Sequence, residues 1–174
     1  MSGWRWAGAA AAVLAAGAAG ALATVWAAGR RLPVEHVSGG GLELAQSPGA
    51  VWEVLTDVEL FPAWRPDVAH VERLPATAAG RPRWREDGRH GHTVYEVVES
   101  EAPHRLVTGI ADPDLPYGGT WTFVLSAAGD GCALTVTERG EVYHPLYRGV
   151  SHYVTGEGAA VHRFLAALAH RMAG

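Results

Sequence analysis

Apolar side chains recur every three or four positions from residue 145 to the end of the chain. Tyr147, Val150, Val154, Gly158, Val161, Leu165, Leu168 and Met172 draw one face, while Arg148, His152, Arg163 and His170 fall largely off it. That period predicts one long amphipathic helix over 145–172. Gly156 and Gly158 lie inside it and each cost about 1 kcal/mol relative to Ala in a helix interior. Either a neighbour approaches closely there or the helix bends. Between residues 67 and 143 the period is two instead of three and a half. It predicts strands over 67–74, 81–86, 92–100, 104–111, 119–126 and 132–143, separated by breaks such as Gly88, Pro113-Asp114-Leu115-Pro116 and Gly129-Asp130-Gly131. The connections are short and no helix-length pattern lies between them, which argues for an antiparallel meander and against a parallel α/β sheet.

Ahead of the meander, residues 34–46 read as a strand interrupted by Ser38-Gly39-Gly40-Gly41, with Leu42 and Leu44 on one face and Glu43 on the other. Ser47 is placed as an N-cap with Pro48 in the first turn, opening a short helix whose apolar positions are Val51, Trp52, Val54 and Leu55. Phe61-Pro62-Ala63-Trp64-Arg65-Pro66 has a proline near each end and reads as a turn or a second short helix. The order is strand, one or two short helices, six strands and a long helix, with no internal repeat. An antiparallel sheet with one long amphipathic helix must bury that helix across a face. The fold class is therefore α+β, a curved antiparallel sheet wrapped around a long C-terminal helix.

The first 31 residues have a different character. Residues 7–29 carry no charge and include 13 Ala, flanked by Arg5 on one side and Arg30 and Arg31 on the other. As a helix they would span roughly 34 Å, enough for a hydrocarbon core of about 30 Å. Trp4 and Trp6 at one end and Trp26 at the other suit interfacial anchoring. An uncleaved single-pass transmembrane helix is the leading expectation. A signal peptide removed on export, or an Ala-rich tail, are the alternatives. Sidedness stays open, because the flanking arginines nearly balance. Residues 1–31 form this hydrophobic segment and residues 32–174 the folded domain.

Charge narrows the chemistry. All 14 basic residues are Arg, against 18 Asp and Glu, so a catalytic lysine, a Schiff base and a phosphate-loop lysine are excluded. Beyond residue 31 there are 11 Arg against all 18 acids, a formal charge of −7. An acidic domain without a basic stripe is a poor nucleic-acid binder. The single cysteine, Cys132, excludes an intrachain disulfide and a multi-cysteine metal site. Nine histidines form no HExxH pattern. His90 and His92 sit in an expected hairpin, and Ser151-His152 lacks a GxSxG context, so neither a metal site nor a serine hydrolase is read here.

Three segments resemble the SRPBCC superfamily, the START-like or polyketide cyclase/dehydrase-like helix-grip proteins. They are Ser47-Pro48-Gly49-Ala50-Val51-Trp52-Glu53-Val54-Leu55-Thr56-Asp57 with Phe61-Pro62-Ala63-Trp64-Arg65-Pro66, then Asp112-Pro113-Asp114-Leu115-Pro116-Tyr117-Gly118-Gly119-Thr120-Trp121, then the run from Leu134 to Tyr147. The resemblance covers roughly residues 34–172. It implies the helix-grip fold and a deep hydrophobic cavity between sheet and helix, but no particular reaction, because the superfamily mixes carriers, cyclases and regulators; binding without a cofactor is the leading expectation.

Strand parity selects the residues such a cavity would use. Trp121 and Phe123 share a face with Leu125, Trp84 opposes Arg83 and Arg85, and Tyr95 shares a face with Val97, although Val94 and Val98 leave that strand ambiguous. With Trp64, Tyr143, Val154 and Phe164 they make the expected ligand-binding set; ordinary core packing is the competing reading for any single aromatic. Glu138 shares parity with Leu134, Val136 and Val142, which points a carboxylate inward. It would bind a polar ligand group or act as an acid/base, unless Gly140 marks a bulge that turns it outward or an Arg pairs it. Three functions follow as expectations. The first is membrane-anchored binding of a lipid-like or polyketide-like or isoprenoid-like molecule. The second is a cyclase/dehydrase-type enzyme using Glu138 with a tyrosine hydroxyl such as Tyr95 or Tyr143. The third is a ligand-free membrane interaction module.

Overall fold

The computed structural model describes residue 17 and residues 19–88, 91–156 and 158–174, apart from the side chains of Val154 and Thr155. Its centre is a seven-stranded sheet in the order β1-β7-β6-β5-β4-β3-β2. The strands are β1 (Glu35–Leu44), β2 (Val68–Leu74), β3 (Arg83–Gly88), β4 (Gly91–Glu101), β5 (Arg105–Ile110), β6 (Tyr117–Ala128) and β7 (Gly131–Val142). Every pairing is antiparallel. β2 to β7 form the meander expected from period two, and β1 returns to pair with β7 from Glu35↔Glu141 to Leu44↔Cys132. The two edge strands, β1 and β2, are joined through helix α2 (Pro48–Thr56), a 3₁₀ turn (Val58–Leu60) and helix α3 (Phe61–Trp64). Ser47 caps α2 as its sequence position requires, accepting the Ala50 amide at 3.4 Å. Val51 and Leu55 of α2 face the core.

The glycine run in β1 does not interrupt the strand. Gly39, Gly40 and Gly41 stay paired with Thr137, Val136 and Thr135. Gly40 points inward under the C-terminal helix, where a Cβ would come within 2.8 Å of Leu165 Cδ1 and 3.6 Å of Val161 Cγ1. What reads as a break is the place where the helix is allowed to lie close on the sheet.

The long C-terminal helix is also a correction. It is divided into α4 (Pro145–Val150), one π-helical turn (Ser151–Thr155) and α5 (Ala159–Ala173). Gly156 and Gly158 separate them with φ of 79° and 83°, a conformation that side-chain-bearing residues rarely adopt. The apolar period runs on through the break although Tyr147 and Tyr153, before it, are exposed. α5 alone crosses the inner face of the sheet, burying Val161, Phe164, Leu165 and Leu168. With Leu106, Phe123, Leu125, Leu134 and Val136 they make the main core.

A bulge between Val97 and Glu99 resolves the ambiguous parity of β4. It puts Tyr95 and Val97 on the inner face opposite Ile110 and Thr108, and leaves Val98 exposed. Of the expected membrane segment, residues 7–16 and 18 lie outside the described residues. Residues 19–29 are helical, here called α1, and Leu22 and Trp26 on it are exposed. No helix among the described residues is long and apolar enough to cross a membrane.

Candidate functional site

The inner face of the sheet divides at the point where α5 begins. Ser38 of β1 pairs with Glu138 of β7, which pairs with Trp121 of β6. The Ser38 Cβ lies 3.4 Å from where a Cβ on Gly158 would stand, one residue before α5. On the α5 side of this row the space is filled: Leu134, Val136, Val161 and Leu168 are each at most 1% exposed. The deep cavity expected beneath the helix is therefore occupied by the helix's own apolar face. In the row itself Trp121 and Glu138, and on its other side Thr93, Tyr95, Ile110 and Tyr117, are only half-buried, although their parity is inward. The sheet extends past α5, and at that end its inward-facing side chains stay half-buried; this end is called the crevice below.

Aromatic rings line the border. Phe164 of α5 is the hub, with ring centroids 5.6 Å from Trp64, 5.6 Å from Trp121 and 5.4 Å from Phe123. Trp64 also meets Phe61 edge-on at 5.6 Å. These separations are those of rings in direct contact, each pair worth about 0.5–1.5 kcal/mol beyond its buried area. Trp84 and Tyr95 stack at 5.5 Å across the β3–β4 pair. Six expected positions are thus brought together as two neighbouring groups, Trp64, Trp121, Phe123 and Phe164 in one and Trp84 and Tyr95 in the other.

Glu138 does point inward, and among the described residues no arginine pairs with it. Its Oε2 accepts the Ser38 hydroxyl at 2.8 Å. Tyr143 is a correction: it lies just after β7, is 50% exposed, and donates its hydroxyl to Glu141 at 2.7 Å, outside the crevice. Val154 is among the side chains not described.

Sequence reading missed the charged centre of the site. Arg65, directly after α3, reaches across to Glu86 of β3 at 3.0 Å and to Asp67 at 2.8 Å. Trp84 Nε1 donates to the same Glu86 oxygen at 2.9 Å. The guanidinium also lies 5.0 Å from the Phe61 ring and 5.7 Å from the Phe164 ring. The signal was parity: Glu86 stands two residues after Trp84 and so shares its inward face. Burial by itself would weaken the Arg65 charge, but Glu86 and Asp67 more than reverse this and its pKa is raised. Burial likewise pushes the Tyr95 phenol well above its ordinary value, with the Glu86 charge adding and Arg65 partly offsetting. Tyr95 is therefore a neutral hydrogen-bonding group near pH 7. Tyr117 and Thr93 share a hydrogen bond at 3.2 Å a little further along the crevice.

A second concavity, an open groove of about 740 Å³, lies on the other side of Trp64 and Arg65, between them and the Arg163 and His170 face of α5. Among the described residues no three His, Cys, Asp or Glu side chains are placed to hold a metal ion.

A model of the family described as polyketide cyclase / dehydrase and lipid transport matches residues 42–173. Among solved structures, a START superfamily protein from Mycobacterium smegmatis is 21% identical with a TM-score of 0.64, the match covering 79% of this chain and 97% of that one. The di-domain ARO/CYC BexL from the BE-7585A biosynthetic pathway is 12% identical with a TM-score of 0.65; 83% of this chain is covered and 52% of that one, so the chain spans about half its length. A point mutant of Thalictrum norcoclaurine synthase, in complex with a transition-state analogue, is 15% identical with a TM-score of 0.62, covering 82% of this chain and 96% of that one. At these identities the likeness shows the fold alone. No curated protein matches the chain.

Proposed function

Because the chain belongs to the polyketide cyclase / dehydrase and lipid transport family, we propose that it binds an apolar or amphipathic small molecule in the crevice where the inner face of the sheet runs out beyond α5. One observation carries this reading. Trp121, in contact with the Phe164 hub, is left half-buried next to half-buried Glu138, with half-buried Tyr95 on the same inner face. A folded chain with no ligand would gain by covering such rings, at about 25 cal/mol for each Å² of apolar surface. Tyr95 and the Glu138–Ser38 pair supply the few polar groups that orient a ligand in a mostly apolar site. We read residues 7–29 as the anchor that keeps this crevice beside a bilayer, where lipid-like molecules are concentrated.

Displacement of an environment-sensitive apolar dye from the full chain in detergent tests the binding. Trp121→Ala is expected to weaken the dye by about ten-fold, which corresponds to roughly 1.4 kcal/mol. A folded protein that binds no dye, or a Trp121→Ala variant with unchanged affinity, contradicts the assignment of this crevice.

A second reading, catalysis of the cyclase or dehydrase type, draws on the inward Glu138 carboxylate. Glu138 and Tyr95 stand on β7 and β4, three inter-strand spacings or roughly 14 Å apart, too far to share one bond as acid and base. Any proton transfer would then rest on Glu138 with a group of the ligand itself. Glu138→Gln is expected to leave dye affinity within about two-fold, since one neutral hydrogen bond to Ser38 replaces a charged one. A chemical change in a bound ligand that disappears in Glu138→Gln is the outcome that would favour this second reading over simple binding.

A further inference from the structure

We propose that the α1–α4 end of the domain is a docking surface for the lipid bilayer interface, seating the crevice mouth against the membrane. The proposal rests on the reading of residues 7–29 as an anchor and extends it: Leu22 and Trp26 belong to that run, while Val34 and three tyrosines add contacts beyond it. Ten large apolar or aromatic side chains are exposed among the described residues. Six of them belong to three segments that meet at one end: Leu22 and Trp26 on α1, Val34 just before β1, and Tyr143, Tyr147 and Tyr153 on and around α4. The other four, Val37, Leu60, Val98 and Val124, lie singly on β1, the 3₁₀ turn, β4 and β6. Exposed apolar residues scattered one by one are ordinary; six gathered at one end mark an interaction surface.

The segments are tied together tightly. Gly29 and Gly149 let α1 and α4 touch backbone to backbone: a Cβ on Gly29 would collide with the Pro145 carbonyl, and one on Gly149 with the Val25 carbonyl. Arg148 stitches the junction, donating Nε to the Gly29 carbonyl at 3.0 Å and Nη1 to the Val142 and Tyr143 carbonyls at 2.8 and 2.9 Å. Val142 in turn donates its amide to the Val34 carbonyl at 2.9 Å. The direction in which the chain leaves α1 is thereby set relative to the tyrosines.

The residue types choose the occupant. Tyr and Trp pair an apolar ring with a polar tip, the combination that favours the headgroup level of a bilayer. Arg30 lies over the Trp26 ring at 4.9 Å, and Arg31 beside it is exposed, so cations stand where lipid phosphates would be. The uncharged run of residues 7–29 leads straight into this surface. The half-buried Tyr117, Trp121 and Glu138 lie at the same end of the sheet, because β7 passes Glu138 on its way to Val142 and α4.

The test uses the full chain in phosphatidylcholine and phosphatidylglycerol vesicles that carry a headgroup-level nitroxide lipid. An environment-sensitive fluorophore is attached to Tyr147→Cys, or to Val124→Cys as a reference on the outer face of β6; the native Cys132 is buried. Quenching of the Tyr147→Cys label several-fold above that of the Val124→Cys label supports the surface. Equal quenching at both positions overturns it. Self-quenching that rises with protein-to-lipid ratio and ignores the nitroxide assigns the surface to a second copy of the chain and also overturns it. A chain that fails to float with vesicles overturns anchor and surface together. Dye binding in detergent reports on the crevice separately, so failure of the ligand reading and failure of the docking surface are distinguishable.

Discussion

Arg65→Met is expected to lower the free energy of unfolding by about 3–5 kcal/mol, the usual result of removing one partner from a buried ion pair. The Arg65 side chain is 14% exposed and that of Glu86 8%, and the pair lies 3.0 Å apart. Methionine fills much of the volume but leaves the Glu86 carboxylate buried with the Trp84 indole as its one remaining donor among the described residues. The loss is therefore mostly the desolvation of an unpaired charge, not the worth of the bridge itself. Adding Glu86→Leu to Arg65→Met is expected to recover much of the loss, because an apolar pair carries no such cost. Urea unfolding at constant slope measures both. A single-variant loss below about 1 kcal/mol, the range of exposed salt bridges, would show that the pair is effectively solvated.

The same cluster sets an acid limit. Burial alone would raise the Asp67 pKa, but the hydrogen bond and charge of Arg65 outweigh it and hold the carboxyl below its usual range. A depressed folded pKa stabilises the fold above the unfolded value, near 3.9 for aspartate, and that contribution is lost as pH falls through the folded value. Stability of the native chain is expected to decline more steeply below about pH 4 than that of Arg65→Met, a difference visible in thermal midpoints across an acid series.

Leu168→Ala is the second large effect, at about 2–5 kcal/mol. Leu168 is 0% exposed in the main core under α5. Its removal opens a void the rigid sheet closes only in part, which adds a cavity term to the lost transfer energy. Dye affinity at the crevice is expected to be unchanged, since Leu168 lies on the filled side of the Ser38–Glu138–Trp121 row. If Leu168→Ala instead weakens the dye as much as Trp121→Ala does, the native ligand space extends beneath the helix.

Much of the site was legible from parity. In β6 and β7, alternation alone placed Trp121, Phe123, Leu134, Val136 and Glu138 on one face, because a strand with one buried face tolerates no slip of register. β4 was not legible, since the bulge at Val98 depends on how its partner strand is pinned. The pairing of Arg65 with Glu86 was not legible either. Their partnership spans 21 residues and exists only once α3 is folded against β3. Tyr143 belongs to the expected ligand-binding set, but the strand ends one residue before it and its ring turns out to Glu141.

By itself the chain determined its secondary structure, the antiparallel order of the meander and the inward faces of most strands, because those depend on local period and short connections. Tertiary structure alone decided that Gly40 is a seat for α5 and not an interruption, and that the C-terminal helix divides at Gly156 and Gly158. It also decided that the space beneath α5 is filled by the helix's own apolar face. Each of these is a matter of distance between segments far apart in the chain. Period and propensity record which way a side chain faces; they carry no information on how far away its neighbour stands.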